Sequence, residues 1–369
     1  MKILLLGEYS NVHATLAAGL RQLGHEVTVA SNGDFWKSYP RDIDLARQYE
    51  KMGGLKLIGK LWSNRNLLQG YDVVQLINPM FVELRAERIL PLYRWLRRHN
   101  GEVLLGAFGM DYFWVSENMN RKPLRYSDFN IGNKLRHTTD AKREEQDWLG
   151  TAKERLNRII AEDCDGIIAG LYEYWAIYNP IFPDKTSFIP YPIIPKSGAT
   201  VRPRNAGDPL HIFIGISRGR NEYKGTDIML AAAKAIEERH PDLAKLTIAE
   251  GVPFSEYVEM MNSSDCILDQ LYSYTPSMNA LEAMSRGIIC VGGGEPENYE
   301  ILGEKTLRPI VNVQPNYENV YQTLEELALH RELLSDLQAQ SIEYIHRHHD
   351  YIKVAQQYLD FYLTHGKGV

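Results

Sequence analysis

The chain has 369 residues, 44% of them apolar and 24% charged, which excludes a disordered or collagen-like polymer. At roughly 150 residues per domain, this length calls for two to three domains. The net charge of −6 argues against general nucleic-acid binding, yet residues 1–200 alone carry 26 Lys and Arg against 23 Asp and Glu, a mildly basic half suited to an anionic partner.

Short apolar runs alternate with amphipathic stretches, as in βαβ units. Lys2–Leu6 and Glu26–Ala30 read as strands, with a helix over His13–Leu23 between them. Asp72–Ile77, Glu102–Gly106, Gly166–Ala169 and Ser187–Ile189 read as further strands, and Val82–His99 as a helix. Residues 112–148 are polar and rich in Arg, Asn and Tyr, with weak periodicity. They read as a long insertion or loop region, with room for a helix. Five prolines between Pro190 and Pro209 mark a linker, because proline fixes φ and cannot donate to a ladder. The alternation then restarts: strand His211–Ile214, helix Asp227–His240, strand Leu246–Glu250, helix Ser255–Met261, strands Cys266–Asp269, Ile288–Val291 and Pro309–Val311. Glu318 to Leu363 is nearly all helix by pattern. The expected architecture is two doubly wound α/β domains, at 1–195 and 205–345, with a helical tail over 346–369.

The apolar run Ile3–Leu6 is too short for a signal-peptide core or a membrane span, and no later stretch is long enough to span. Cys164, Cys266 and Cys290 fit neither a disulfide framework nor a zinc spacing. A soluble cytoplasmic protein is the expectation.

Chemistry concentrates in a few segments. The turn after the first strand, GEYSNVH (Gly7 to His13), has one glycine for a tight turn but lacks GxGxxG, so it makes a poor dinucleotide cradle. GISRGRNEYKGTD (Gly215 to Asp227) brings Arg218, Arg220 and Lys224 to a loop ahead of a helix, with Gly225 opening that helix and Thr226 as its N-cap. Cations plus a helix N-terminus at the carboxyl end of a strand suit phosphate; a solvated basic loop is the plain alternative. SYTPSMNALEAMSRG (Ser273 to Gly287) reads as a second helix with Thr275 as N-cap, Pro276 at the first position and Gly287 as the stop. From Ser277 to Glu282 is roughly 7.5 Å along a helix axis, the span from a diphosphate to its ribose hydroxyls. Backbone amides near Pro276–Met278 would then hold phosphate or sugar and Glu282 the ribose. The structural alternative pairs Glu282 with Arg286 at i+4. GAFGMDYFW (Gly106 to Trp114) places Asp111 after a strand, either as a hydroxyl-binding carboxylate or as the cap of a short helix. Lys51 to Gly70 mixes Lys51, Lys56, Lys60 and Arg65 with Leu55, Leu57, Ile58, Leu61, Trp62 and Leu67; it is either a lipid-facing basic surface or a core-facing helix with a solvated basic side. HRHHD (His346 to Asp350) reads as a helix junction rather than a metal tract.

Together, Arg218 or Arg220, Lys224–Gly225 and Leu281–Gly287 followed by Ile288–Val291 resemble the donor-binding half of retaining GT-B glycosyltransferases of the group-one, family-four-like set. Ser263 to Leu271 resembles the strand that precedes this element, and Gly292–Pro296 its following glycine turn. The resemblance is specific over residues 211–301. It implies a GT-B fold, two Rossmann-like doubly wound domains facing a cleft, with the C-terminal helix crossing back to the N domain. It implies transfer of a sugar from a nucleotide-diphospho-sugar to a hydroxyl of a glycan or lipid-linked acceptor, with retention, by a front-face mechanism without metal or cofactor. It assigns catalytic roles to Lys224, Arg220, Glu282 and Asp111, and donor contacts to Gly7, Arg218, Arg220, Lys224, Tyr274, Thr275, Ser277, Met278, Asn279 and Glu282. One departure stands out. Tyr274 replaces the first Glu of the family's E-x7-E element, and a phenol cannot supply a charged acceptor; Asp269 is the nearby carboxylate. A GT-B epimerase and a catalytically inactive GT-B subunit are the alternatives. The basic N-terminal half would meet the acceptor and rest peripherally on an anionic inner membrane face.

Overall fold

The computed structural model describes every residue except Arg204, Ala206, Ser217, Arg218, Arg220 and 366–369, together with all side chains of the described residues save Trp36, Phe254 and His365. The described chain divides into two compact units. One comprises 1–123, 144–192 and the C-terminal segment from Tyr351; the other comprises 124–143 and 193–350.

The first unit begins with β1 (Lys2–Leu6), α1 (Val12–Gln22), β2 (Glu26–Ser31), β3 (Ile43–Asp44) and α2 (Gly53–Ser63). It continues with β4 (Val73–Leu76), α3 (Ala86–His99), β5 (Glu102–Ala107) and α4 (Tyr112–Asn120). The chain then leaves for the second unit through a small antiparallel hairpin, β6 (Asn130–Ile131) and β7 (Lys134–Leu135). It returns with α5 (Thr139–Trp148), α6 (Ala152–Asp163), β8 (Gly166–Ala169), α7 (Tyr172–Tyr178) and β9 (Thr186–Phe188). The seven main strands form a parallel sheet in the order β3-β2-β1-β4-β5-β8-β9. Every residue of β4 and β8, and all of β1 after Lys2, is buried, as a parallel strand covered on both faces requires.

The second unit carries β10 (Leu210–Ile216), α8 (Asn221–Lys224), α9 (Thr226–Arg239), β11 (Ala244–Glu250), α10 (Phe254–Asn262) and β12 (Cys266–Leu268). It ends with α11 (Met278–Met284), β13 (Ile289–Gly292), α12 (Pro296–Ile301), β14 (Val311–Asn312), α13 (Tyr317–Leu329) and α14 (Leu334–Tyr344). Its five parallel strands run β11-β10-β12-β13-β14. A core of Ile212, Ile214, Met229, Ile236, Leu268, Val291 and Leu324 fills one side. Both sheets reverse strand order beside their first strand, between β1 and β4 and between β10 and β12. The crevice at such a reversal, outside the carboxyl ends, is where ligands bind in open α/β sheets.

The fold is thus the GT-B pairing of two Rossmann-like units that the sequence led us to expect. The main strands fall within two or three residues of their expected spans; the two-residue β3 was not foreseen. The polar stretch 112–148 differs most from expectation. It contains α4, the hairpin and α5, and its middle, 124–143, clusters with the second unit rather than with the first.

α15 (Tyr351–His365) brings the chain back to the first unit and packs along α1. A π-helical turn, Ile345–His349, precedes it, so the HRHHD run is a helix junction. Among the described residues no cluster of three metal-ligating side chains occurs. A buried polar chain fastens α15. The Tyr362 hydroxyl donates to Gln75 Oε1 at 2.6 Å, Gln75 Nε2 meets His13 Nε2 at 3.2 Å, and His13 Nδ1 meets the Gly7 carbonyl at 2.8 Å. Burial pushes the His13 imidazole down to about 4, so it stays neutral at physiological pH.

α1 and α15 come close together at Gly19. A Cβ there would lie 2.3 Å from the Tyr351 carbonyl oxygen and 2.8 Å from Ala355 Cβ. Alanine ordinarily gains about 1 kcal/mol over glycine inside a helix, but backbone cannot yield as a flexible side chain does. Gly19→Ala is therefore expected to destabilise the protein by about 1–3 kcal/mol in denaturant melts, opposite in sign to the propensity change.

Candidate functional site

At the reversal point of the second sheet, β10 ends at Ile216 and α8 follows. Arg218 and Arg220 lie outside the described residues. Gly225, with φ of +71°, is the N-cap of α9, and Thr226 is its first residue; the N-cap role expected of Thr226 falls to the glycine. Only glycine suits this position. Its φ is left-handed, and a Cβ would lie 2.6 Å from Leu271 Cβ and 2.8 Å from the Tyr272 ring. The Leu271 amide donates to the Lys224 carbonyl at 2.8 Å. This bond fastens the loop after β12 to the turn before α9, and so brings Lys224 to the crevice.

Asp269 follows β12 and is buried. It accepts the Ser277 amide at 2.8 Å and also the Ser277 hydroxyl. Burial raises its carboxyl, while the bonds from Ser277 and the charge of Lys224 act against that rise. α11 starts at Met278 with Ser277 as N-cap, later than the Thr275–Pro276 start the sequence suggested. The reason is Asp269, whose carboxylate takes the Ser277 amide and holds Ser277 in an extended conformation. That amide is therefore already engaged by protein. Thr275 lies in a tight loop in which the Ser273 hydroxyl donates to its carbonyl at 2.7 Å. Met278 is half-buried and Asn279 exposed at the start of the helix. Glu282 pairs with Arg286 Nη2 at 2.6 Å, the i, i+4 arrangement, with its side chain 43% exposed. It stands on the helix surface with room for a further donor. Gly287 has φ of +77° and ends the helix as expected.

Tyr274 is 1% exposed. Its hydroxyl accepts the Arg125 amide at 2.7 Å, the Arg125 guanidinium lies 4.8 Å from its ring centroid, and the Tyr126 ring packs at 4.9 Å. Beside it, Glu295 accepts from Tyr126 Oη at 2.6 Å, Arg125 Nη2 at 2.7 Å, Gln314 Nε2 at 2.7 Å and Asn312 Nδ2 at 3.0 Å. Burial pushes this carboxyl up, but the donors outweigh it and hold it below the ordinary range. Arg125 also pairs with Glu297. On the other flank Arg136 lies 3.3 Å over the Tyr272 ring and donates to the Glu222 carbonyl at 2.5 Å. A cavity of about 480 Å³ opens there, lined by Arg136, Thr138, Thr139, Glu222, Asp227 and Tyr272. Arg125, Tyr126 and Arg136 were not singled out in the sequence, and Glu295 was singled out only as part of the glycine turn over Gly292–Pro296. The abundance of Arg and Tyr in 112–148 was the one available sign.

In the first unit Gly7 has φ of +89°, and a Cβ there would lie 2.3 Å from Ile77 Cγ2. Glu8 is buried and caps α1, accepting the His13 amide at 3.2 Å and the Ala14 amide at 2.9 Å. Burial pushes its carboxyl up to about 8. The chain's own carboxyl group thus fills the helix N-terminus that a phosphate would use, in keeping with the absence of GxGxxG. Asp111 is fully buried and caps α4. Its Oδ1 accepts the Trp114 amide at 2.8 Å and its Oδ2 the Tyr178 hydroxyl at 2.7 Å. The catalytic role assigned to Asp111 by resemblance gives way to the capping one, since both oxygens are turned inward on protein donors. Gly7 and Asp111 belong to one unit, and Lys224, Tyr274, Thr275, Ser277 and Glu282 to the other.

No family model matches the chain, and no curated protein matches it. Solved structures do. Sucrose-phosphate synthase from Thermosynechococcus elongatus is 13% identical over 99% of both chains, with a TM-score of 0.63. HepE from Anabaena, in complex with UDP-glucose, is 11% identical over 98% of both chains at 0.57. A Listeria monocytogenes protein described as a UDP-N-acetylglucosamine 2-epimerase is 11% identical over 99% of this chain and 97% of that one, also at 0.57. At such identities the likeness establishes the shared fold.

Burial raises the Asp111 carboxyl from 3.8 to about 6. The native state therefore binds the proton more tightly than the unfolded chain, and the Asp111 contribution to stability falls as pH rises from about 4 to about 6. Asp111→Asn keeps a capping oxygen and should flatten that slope in melts across this window. Asp111→Ala loses the cap and strands the Tyr178 hydroxyl, and should cost about 2 kcal/mol at neutral pH.

Proposed function

We propose that the chain is a glycosyltransferase that moves a sugar from a nucleotide-diphospho-sugar to a hydroxyl of a glycan or lipid-linked acceptor, with retention at the anomeric carbon. The observation that carries this reading is Lys224, held beside Asp269 at the reversal point of the second sheet, next to α9, whose N-cap is Gly225, a residue with no side chain to cap the helix. A cation and helix N-terminal amides at that crevice suit a diphosphate. Structures of the same fold, one of them solved with UDP-glucose, support a nucleotide sugar as the donor.

In the proposed reaction the bond between the anomeric carbon and the diphosphate oxygen breaks while the acceptor oxygen bonds to that carbon on the same face. The acceptor proton passes to the departing diphosphate. Lys224, with Arg218 or Arg220, stabilises the charge that develops there, and no metal or cofactor is called for. Glu282, half-exposed beside Arg286, accepts from the ribose hydroxyls. Asn279, Met278 and Thr275 border the donor. Tyr274 serves differently from the carboxylate it replaces. Its hydroxyl is bound to the hairpin, so sugar recognition falls to neighbouring groups.

Two other readings each have an observation in their favour. The similarity to an epimerase fits a sugar-nucleotide epimerase, and the absence of the first E-x7-E carboxylate at Tyr274 fits a binding subunit without turnover. Product analysis separates the three: a glycosylated acceptor, an isomerised free sugar nucleotide, or unchanged donor.

The first test is a thermal-shift panel of UDP, GDP, ADP and their sugars. At least one should raise Tm in a concentration-dependent way. Lys224→Ala and Glu282→Ala should each weaken that ligand by about tenfold or more, ~1.4 kcal/mol. Undiminished stabilisation in both variants would place the nucleotide elsewhere.

A further inference from the structure

The basic, apolar stretch around α2 has two possible readings in sequence, and the structure separates them. Gly53, Leu57 and Leu61 form the buried face. Met52, Leu55 and Trp62 do not join them: they are 56%, 51% and 68% exposed, and with Gly59 they stand at i, i+3, i+7 and i+10. At 100° per residue these four positions span about 80° of helix circumference. Tyr49 precedes the stripe and Leu67 follows it, both exposed. α2 therefore presents a second apolar face, turned away from the core.

Cations frame that face. Residues 47–67 contain Arg47, Lys51, Lys56, Lys60 and Arg65 against a single carboxylate, Glu50, in a chain whose net charge is −6. Lys56 pairs with Glu50 and Lys60 with Asp44. Arg47, Lys51 and Arg65 make no ion pair among the described residues. The Arg65 guanidinium lies 4.7 Å from the Trp62 ring centroid. An exposed Trp and aliphatic residues ringed by cations match a surface that is half oil and half anion. Tryptophan settles at the headgroup level, aliphatic side chains reach the acyl boundary, and Lys and Arg stems lie along it with their charges toward phosphate. A protein partner fits less well, because lysine is depleted in protein–protein interfaces.

We infer that the outer face of α2 docks on an anionic phospholipid bilayer, through Met52, Leu55, Trp62 and Leu67 in the interface and Arg47, Lys51 and Arg65 against lipid phosphates. The docking face is tied to the rim of the first sheet. The Arg47 amide and the Tyr49 hydroxyl both donate to Glu83, on the loop that follows β4. Docking would hold the carboxyl ends of the sheet close to lipid, which suits a membrane-borne acceptor. That consequence rests on the proposed function; the docking itself does not.

The test is co-sedimentation of the full chain with vesicles of phosphatidylcholine alone and of phosphatidylcholine with phosphatidylglycerol. Binding is expected only to the anionic vesicles and should decline as salt rises. Leu55→Ser with Trp62→Ser, and separately Lys51→Glu with Arg65→Glu, should each reduce it at least about tenfold, a loss of ~1.4 kcal/mol. Both pairs are exposed, so an unchanged Tm and an unchanged nucleotide response report intact protein and leave the donor reading untouched. No binding by the unaltered protein, equal binding to neutral vesicles, or binding that survives both double substitutions would overturn the inference. So would self-association that the serine variant abolishes in the absence of lipid binding, because the face would then be covered by a second copy.

Discussion

A parallel strand cannot reach its neighbour by a tight turn, and it must be covered on both faces. This constraint governs both sheets of the protein. Every crossover runs through a helix or a long loop, so the loops at the carboxyl ends are left free of packing duties while the strands are buried. Where strand order reverses, two such loops diverge and a crevice opens. Lys224 and Asp269 lie at that point in the second unit, and Gly7 and Glu8 at the equivalent point in the first. The same fold geometry thus produces two candidate sites, and side-chain chemistry distinguishes them. In the first, Glu8 closes the helix N-terminus from within. In the second, the N-cap of α9 is a glycine, which has no side chain to close the helix N-terminus.

The hairpin excursion depends on a different interaction. Glu295 collects four donors, two of them from Arg125 and Tyr126, and Tyr274 takes the Arg125 amide. These bonds bring residues 124–143 into the second unit although they sit in sequence between strands of the first. The residue that breaks the resemblance to a sugar-binding carboxylate is the one that anchors the excursion. The Tyr274 hydroxyl is therefore held by a structural partner, the Arg125 amide.

Much of the fold was legible in the chain. Strands such as Lys2–Leu6 and Gly166–Ala169 are continuous apolar runs bounded by polar residues, and α1 and α9 carry an apolar stripe at helical spacing. β3 was not legible because two residues carry no periodicity. The start of α11 was misplaced because Thr275–Pro276 is a good local helix opening, and the competitor, Asp269, lies several residues upstream with no sequence mark of its bond to Ser277. Asp111 was ambiguous for a similar reason: a carboxylate before a short helix looks alike whether it faces a ligand or its own helix, and only the inward Tyr178 hydroxyl decides the matter.

The sequence by itself determined the class of fold, the division into two repeating α/β parts, and the grouping of Lys224, Gly225 and Glu282 near strand ends. These follow from local pattern: apolar periodicity, glycine at tight turns and charge at fixed offsets. The tertiary structure alone decided which unit the 124–143 segment joins, which carboxylates are consumed by the protein itself, and which face of α2 remains uncovered. Those outcomes turn on contacts between residues far apart in the chain, such as Tyr274 with Arg125 and Tyr362 with Gln75, where burial and hydrogen-bond geometry, rather than residue type, set the result.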